Sequence, residues 1–281
     1  MKKEFNIVIF NYILLQYYKY FLENLEIKFK HVITTNLEGF VIQKDNIFDF
    51  LKDKTSNNIL VSTDYVNDEI VNFQVSNLIK FIPSLNYSVN YKNRIIDTYW
   101  AADENIFYPE KDNSKIIILI DDCHYNIDEE NNSYEILDFC IDLMLKNEKI
   151  EIYRFGYYDN HINFIDKYKN LGYLRYNVIE NKMSIVKKSK YHNKANIFWC
   201  THKETLGIPN IESAMSGCLL VYPKNFIDNE LTKNLMKIEY DNIIDITYDK
   251  LISNLDEEKQ RKLALEYTWE RKIERAKFFI D

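Results

Sequence analysis

The fold of this chain is decided by one stretch, Glu204-Thr-Leu-Gly-Ile-Pro-Asn-Ile-Glu-Ser-Ala-Met-Ser-Gly-Cys-Leu-Leu-Val-Tyr222. The apolar run 196–200 before it predicts a short strand, and residues 201–208 form a polar loop. Pro209 opens a helix at a position where its missing N–H costs nothing, and Gly217 ends that helix. The apolar residues 219–222 then predict a buried strand. Strand, loop, helix and strand in this order indicate an α/β fold.

Two carboxylates bracket the start of this helix, Glu204 in the loop and Glu212 about one turn into the helix. A loop that leads into a helix N-terminus offers backbone N–H groups and the positive end of the helix dipole to an anion such as a diphosphate. Glu204 can reach hydroxyls of a ligand above the loop, and Glu212 can accept hydrogen bonds from a ribose diol. The pair is equally typical of a solvated loop acid and an acid that complements the helix dipole.

The string from Glu204 to Gly217 resembles the E-x7-E segment of retaining GT-B glycosyltransferases of the family 4 type. The resemblance includes the glycine and proline between the acids, the Ala-Met-Ser-Gly turn and the apolar strand that follows. In that family the first glutamate contacts donor-sugar hydroxyls and the second contacts the nucleotide ribose. The resemblance therefore implies that Glu204 is catalytic and that Glu212 binds the donor. It implies the same donor site for the residues between them: Thr205, Leu206, Gly207, Ile208 and Pro209.

The fold class implied is α/β and GT-B, with two Rossmann-like domains that face each other across a cleft and a reduced N-terminal domain. Residues 94–109 resemble the interdomain stretch of the same family, and the polar residues after Pro109 are typical of a linker. We expect an acceptor-side domain over residues 1–109 and a nucleotide-sugar-binding domain over residues 110–262. Residues 263–281 are expected to form a C-terminal helix that packs back toward the first domain.

Hydrophobic periodicity places the other elements. In the first half it predicts strands at 6–10, 31–35, 58–63 and 84–89, with helical patches at 12–24, 45–52 and 68–81. In the second half it predicts strands at 115–120 and 150–155, a helix over 134–145 capped by Asn132, and a lysine-rich helical run over 182–190. Short helices near 228–236 and 248–255 and a long charged helix from residue 257 complete the chain.

The loop after the strand at 115–120 departs from the family. Family members commonly place an arginine and a lysine there to hold the donor diphosphate, whereas this chain has Asp121 and Asp122. Either another cation neutralises the diphosphate, or donor binding is altered. Arg154 and Arg175 are the preferred candidates, with Lys203 next and Lys182 as a further one, although Arg154, Arg175 and Lys203 are each more typical of a surface ion pair. The lysine run over 182–190 is typical of a solvated face and receives no role.

Composition limits the partners and the compartment. The net charge of −7 and the pI of about 5.4 argue against a general polyanion binder, so a nucleic-acid acceptor is open but not favoured. The four cysteines include no C-x-x-C pair and lie in or beside apolar runs, which favours reduced core thiols and a cytoplasmic protein. We expect neither a signal peptide nor a transmembrane segment, because the N-terminal apolar run is interrupted by polar residues.

The resemblance implies a glycosyltransferase that moves a sugar from a nucleotide-sugar donor to an acceptor hydroxyl with retention at the anomeric carbon. It also implies that no cofactor and no obligatory metal takes part. Three alternatives stay open. They are a metal-dependent GT-A-like transferase that holds Mn²⁺ or Mg²⁺ through Asp121 and Asp122, a non-catalytic sugar-nucleotide or glycan-binding module, and a transferase that acts on modified nucleic-acid bases.

Overall fold

The structure is a computed structural model that describes residues 4–10, 21–35, 46–52, 57–62, 78–82, 95–97, 101–121, 127–156, 173, 175–180, 183–202, 207–224, 226–227 and 232–280. The chain divides into two compact units. The first comprises Met1–Trp100 with Trp269–Asp281, and the second comprises Ala101–Thr268. The domain bounds expected at 109 and 262 remain predictions. Within the described ranges, no helix is long and apolar enough to cross a membrane.

The first unit contains a five-stranded parallel sheet. Its strands are β1 (Glu4–Phe10), β2 (Lys28–Thr35), β3 (Asn57–Ser62), β4 (Leu78–Ile82) and β5 (Ile95–Asp97), in the order β2-β1-β3-β4-β5. Residues 21–24 and 46–51 are helical. Consecutive residues of β1 and β3 are buried, as in parallel strands that are covered on both faces. This strand order is that of a doubly wound sheet, which confirms the α/β prediction for this unit.

The second unit contains a six-stranded parallel sheet, with helices after several of its strands. Its elements in chain order are β6 (Ile116–Asp121), α1 (Ile127–Lys146), β7 (Ile150–Gly156), β8 (Tyr176–Glu180), α2 (Ile185–Lys194), β9 (Ile197–Cys200), α3 (Ile208–Met215), β10 (Leu219–Pro223), β11 (Lys237–Tyr240), α4 (Tyr248–Ser253) and α5 (Glu257–Ala264). The strands lie in the order β11-β10-β9-β6-β7-β8. Counted from β6, this is the Rossmann order 3-2-1-4-5-6.

The strands differ from the prediction in two ways. Residues 78–82 form β4, where the sequence predicted the end of a helix, because parallel pairing with β3 decides the conformation of a short apolar run that periodicity leaves ambiguous. Strands β5, β8 and β11 were not predicted, although in β11 the sequence Lys-Ile-Glu-Tyr alternates between half-buried and buried residues. The strand predicted at 84–89 lies outside the described residues.

Three predictions about helices were also wrong. The short helix expected near 228–236 is absent from the described part of that range, because residues 232–235 form turns and bends. Helix α1 begins at Ile127, so Asn132 lies inside the helix and is not its cap. The charged helix expected from residue 257 is broken. A 3₁₀ turn (Leu265–Tyr267) and the extended residue Thr268 separate α5 from α6 (Trp269–Ile280). Thr268 is extended because it bridges in parallel to Ala102, whose N–H donates to the Tyr267 carbonyl at 3.0 Å.

The core of the second unit lies on the faces of β6, β9 and β10. Trp199 is fully buried there, its indole N–H donates to the Tyr240 hydroxyl at 3.1 Å, and Phe139 contacts it edge to face. Three of the four cysteines, Cys140, Cys200 and Cys218, are buried free thiols, which confirms the prediction for them. The fourth, Cys123, lies outside the described residues.

Candidate functional site

The strand order of the six-stranded sheet reverses between the neighbouring strands β6 and β9: β7 and β8 lie on one side of β6, and β9, β10 and β11 lie on the other. Asp121 and Cys200 are register partners at the carboxyl ends of these strands, and the Thr201 hydroxyl donates to the Asp121 carbonyl at 2.8 Å. Open α/β sheets bind ligands outside the carboxyl ends of strands at such a switch point. The chain that leads to Glu204 leaves the sheet at this position.

Helix α3 begins after a left-handed residue. Gly207 is its N-cap with φ 62° and ψ 24°, a conformation that favours glycine, and the Gly207 carbonyl accepts the Ile211 N–H at 2.9 Å. Ile208 is the first helical residue and Pro209 the second, so the proline lies within one residue of its predicted position. Lys203, Glu204, Thr205 and Leu206 lie outside the described residues, and their roles remain predictions.

Glu212 is buried and paired. Its side chain is 4% exposed, and its Oε2 atom accepts a hydrogen bond from the Lys188 Nζ atom at 3.2 Å. Burying a carboxylate costs several kcal/mol unless a partner compensates, and the Lys188 ammonium group is such a partner for Glu212. Glu212 is therefore a buried and paired carboxylate near the switch point, and its role in donor binding remains a prediction.

Lys188 is the basic residue that the sequence analysis left without a role. It lies in the first turns of α2, which follows the carboxyl end of β8 and is capped by the Ser184 hydroxyl. Its ammonium group lies 5.8 Å from the centre of the Phe155 ring, near the carboxyl end of β7. The sequence offered no signal that separates Lys188 from the other lysines of its run; in the structure it lies four residues before the buried His192 and shares its helix face.

Helices α2 and α3 are joined by side-chain hydrogen bonds. The His192 Nδ1 atom and the Ser213 hydroxyl are 2.7 Å apart, and the Ser216 hydroxyl donates to the Asn193 side-chain oxygen at 2.9 Å. Burial, and then the positive charge of Lys188, lowers the pKa of His192 well below its usual value, so its ring is neutral at neutral pH. These contacts hold Lys188 and Glu212 on helices whose mutual position is fixed.

Gly217 ends α3 in the left-handed region, with φ 80°. A Cβ atom at this position would lie 3.0 Å from the Glu257 Cβ atom, 3.1 Å from the Glu257 carbonyl oxygen and 3.2 Å from the Pro109 Cγ atom. The predicted helix stop is confirmed, and the close contacts explain why the turn between α3 and β10 requires glycine.

The two arginines predicted to hold a diphosphate are placed differently. Arg175 donates to the carbonyls of Asn147 at 2.7 Å, Ile150 at 2.8 Å and Met144 at 2.8 Å, so its guanidinium group satisfies carbonyls in the turn between α1 and β7. Arg175 directly precedes β8 and therefore lies at the amino ends of the strands, whereas Glu212 lies beyond their carboxyl ends. Its diphosphate role remains a prediction that these contacts do not favour.

Arg154 lies within β7 and is buried in the second unit. Its Nη1 atom lies 3.3 Å from the Tyr176 hydroxyl, to which it donates. Its register partners are Ile120 in β6 and Val178 in β8. The structure thus places Arg154 in the strand next to the switch point, and its contact with a diphosphate remains a prediction.

Asp121 is buried at the end of β6, and Asp122 lies outside the described residues. Among the residues for which the structure gives positions, no group of three or more His, Cys, Asp or Glu side chains could hold a metal ion. The predicted independence from metal is a matter for experiment.

No model of a protein family matches this sequence, and no curated protein matches it. Solved structures match it at low identity. A glycosyltransferase from Rickettsia africae has a TM-score of 0.60 at 11% identity, over 98% of this chain and 97% of that chain. A candidate UDP-N-acetylglucosamine 2-epimerase from Listeria monocytogenes has a TM-score of 0.60 at 12% identity, over 98% and 95%.

A third match is the UDP-GlcNAc 2-epimerase from Neisseria meningitidis bound to UDP-GlcNAc, with a TM-score of 0.58 at 11% identity over 99% of each chain. At such identities the likeness shows the fold and no activity. The parallel sheets of the two units and these matches agree with the fold class expected from the sequence. The chain has the GT-B fold, built from two Rossmann-like α/β units.

Proposed function

We propose that this chain is an enzyme that acts on a nucleotide sugar, and specifically a glycosyltransferase of the retaining, family 4 type. The observation that carries the proposal is the position of Glu212, a buried carboxylate on the helix that starts at the switch point of a Rossmann-ordered sheet. The Neisseria protein with the same fold is bound to UDP-GlcNAc, which supports a nucleotide sugar as the ligand class.

Each part of the site has a role in this proposal. The Glu212 carboxylate accepts hydrogen bonds from the ribose hydroxyls, as a buried acceptor next to a helix start can. The N-terminal turn of α3, from Gly207 to Pro209, faces the diphosphate with its dipole. Glu204 contacts hydroxyls of the donor sugar. Departure of the nucleoside diphosphate is then favoured by charge stabilisation and by positioning, with no residue that attacks the sugar.

The proposed enzyme needs no cofactor and no obligatory metal, because the helix N-terminus and a nearby cation offset charge on the departing diphosphate. The acceptor is a hydroxyl compound of unknown identity. We keep the cytoplasm as the proposed compartment, since the buried free thiols Cys140, Cys200 and Cys218 suit a reducing environment.

The test of the proposal is a panel of nucleotide sugars and nucleoside diphosphates measured by thermal shift, followed by assays of donor hydrolysis and transfer. A ligand at 100 times its Kd stabilises a protein by about 2.7 kcal/mol, which a melting curve resolves. We expect Glu212→Gln to abolish the ligand-induced shift and Glu258→Gln, at an exposed glutamate of α5, to retain it. The proposal is wrong if no nucleotide or nucleotide sugar stabilises the wild-type protein.

A 2-epimerase is the second candidate, because the Listeria and Neisseria structures with the same fold carry that name. An epimerase converts UDP-GlcNAc without an acceptor, and nuclear magnetic resonance of the sugar then shows inversion at C2. A transferase releases the nucleoside diphosphate and requires an acceptor for product. The anomeric configuration of that product tests retention, and binding without turnover would indicate a non-catalytic module.

A further inference from the structure

We infer that Lys188 contacts the diphosphate of the nucleotide sugar and supplies the cation that the loop after β6 lacks. This inference rests on the proposed function and adds a binding residue to the same site. A nucleoside diphosphate carries at least two negative charges, and backbone N–H groups of a short helix leave much of that charge uncompensated. The strand β6 ends in Asp121 instead of a base.

The position of Lys188 on the fold meets this need. Helix α2 follows the carboxyl end of β8, and α3 follows the carboxyl end of β9. The strands are parallel, so both helices begin on the side of the sheet where the carboxyl ends of the strands lie. Lys188 lies in the first turn of α2 and Glu212 about one turn into α3, and their side chains meet at 3.2 Å. A ligand whose ribose reaches Glu212 therefore brings its phosphates within a few ångströms of the Lys188 ammonium group.

Exposure separates the two members of the pair. The Lys188 side chain is 26% exposed, whereas the Glu212 side chain is 4% exposed. Solvent, and hence a ligand, reaches the lysine more easily than the carboxylate. An ammonium group has three N–H donors, so Lys188 can bond to the carboxylate and to a phosphate oxygen together.

The electrostatics favour the same arrangement. A diphosphate that approaches Glu212 is repelled by the carboxylate. A cation between the two anions attracts both of them and so offsets this repulsion. Lys188 already contacts Glu212, so no rearrangement of the helices is needed. Its neighbour His192 does not supply this charge, since burial keeps its ring neutral. Phe155, over which the ammonium group lies, stabilises the cation through its ring face.

The competing explanation is that Lys188 only holds Glu212 in place. Ligands with different numbers of phosphates separate the two, because a lysine at the phosphates discriminates among uridine, UMP and UDP, whereas a lysine that only positions Glu212 affects ribose contacts common to all three. The variants are Lys188→Met, which removes the charge and keeps the aliphatic stem, and Lys188→Arg, which keeps the charge. Lys187→Met is the matched control, at an exposed lysine in the same turn.

The measurement is isothermal titration calorimetry of each variant with uridine, UMP and UDP. If another nucleoside diphosphate gives the largest thermal shift, that diphosphate, its monophosphate and its nucleoside replace this series. Loss of a charged hydrogen bond corresponds to about a 10- to 100-fold loss of affinity. We expect Lys188→Met to lose this factor for UDP and to change uridine affinity less than about threefold, a limit within the effect of a single uncharged contact. Lys188→Arg should keep most of the preference for UDP, and Lys187→Met should match the wild type.

An equal loss for uridine, UMP and UDP in Lys188→Met would overturn the inference and assign Lys188 a positioning role alone. Unchanged affinity for all three would overturn it as well. If the wild-type protein binds no nucleoside diphosphate, the proposed function fails, and the inference fails with it for that separate reason. Circular dichroism of each variant confirms that the loss is not due to unfolding.

Discussion

Replacing Gly217 with alanine should destabilise the second unit by about 3 kcal/mol. The residue has φ 80°, and a left-handed conformation costs a residue with a Cβ atom about 1–2 kcal/mol. The new Cβ atom would also lie 3.0 Å from the Glu257 Cβ atom and 3.1 Å from its carbonyl oxygen. The carbonyl belongs to the backbone and cannot turn away, so overpacking adds about 1–3 kcal/mol.

Urea unfolding followed by circular dichroism measures this change in the free energy of unfolding. Gly217→Asn is the informative second variant, because asparagine tolerates the left-handed region and still carries a Cβ atom. We expect it to recover about 1 kcal/mol of the loss seen with alanine, the part due to backbone strain. A Gly217→Ala protein within 0.5 kcal/mol of the wild type, the range of ordinary surface substitutions, would refute the reasoning about strain and close contact.

The remaining predictions concern a histidine, an arginine, the donor site and metal. The pKa of His192 is lowered in the folded state, so below about pH 6.5 only the unfolded state binds a proton on this ring. The free energy of unfolding should therefore fall by up to about 1.4 kcal/mol per pH unit as the pH drops toward the lowered pKa. Unfolding measured at pH 7 and 5.5 should show that His192→Gln lacks this part of the pH dependence. Arg175→Ala should lower stability by about 2–4 kcal/mol through three lost hydrogen bonds, while calorimetry finds nucleotide affinity unchanged. Glu212→Ala should weaken the donor sugar and the free nucleotide alike, whereas Glu204→Ala should mainly slow transfer, as steady-state kinetics beside titrations would show. Transfer should continue in EDTA; loss with EDTA and rescue by Mn²⁺ would favour a metal site at Asp121.

The segment from β9 to β10 could be predicted from the sequence because its signals are local. Proline within the first two helical positions, glycine in the left-handed residue that follows the helix, and apolar runs on both sides act through neighbouring residues. The α/β class follows from the same alternation of strands and helices. Where tertiary pairing competes with a local signal, prediction failed, as at β4, whose partner β3 lies about twenty residues earlier, and at Thr268, which pairs with Ala102.

The sequence by itself determined the α/β elements around Glu212 and the acid itself as a candidate, since a proline, two glycines and a carboxylate at fixed spacing can be recognised along the chain. Only the tertiary structure decided which cation accompanies that acid. Lys188 and Glu212 are 24 residues apart, and in the sequence Lys188 does not differ from the other lysines of its run. The strand order places β9 beside β6 and α2 against α3, so that Lys188 contacts the buried carboxylate of Glu212. Arg175 lies instead at the amino ends of the strands, where it contacts backbone carbonyls. The physical reason is that the environment of a charged side chain is set by groups distant in sequence, and strand pairing determines which of those groups it meets.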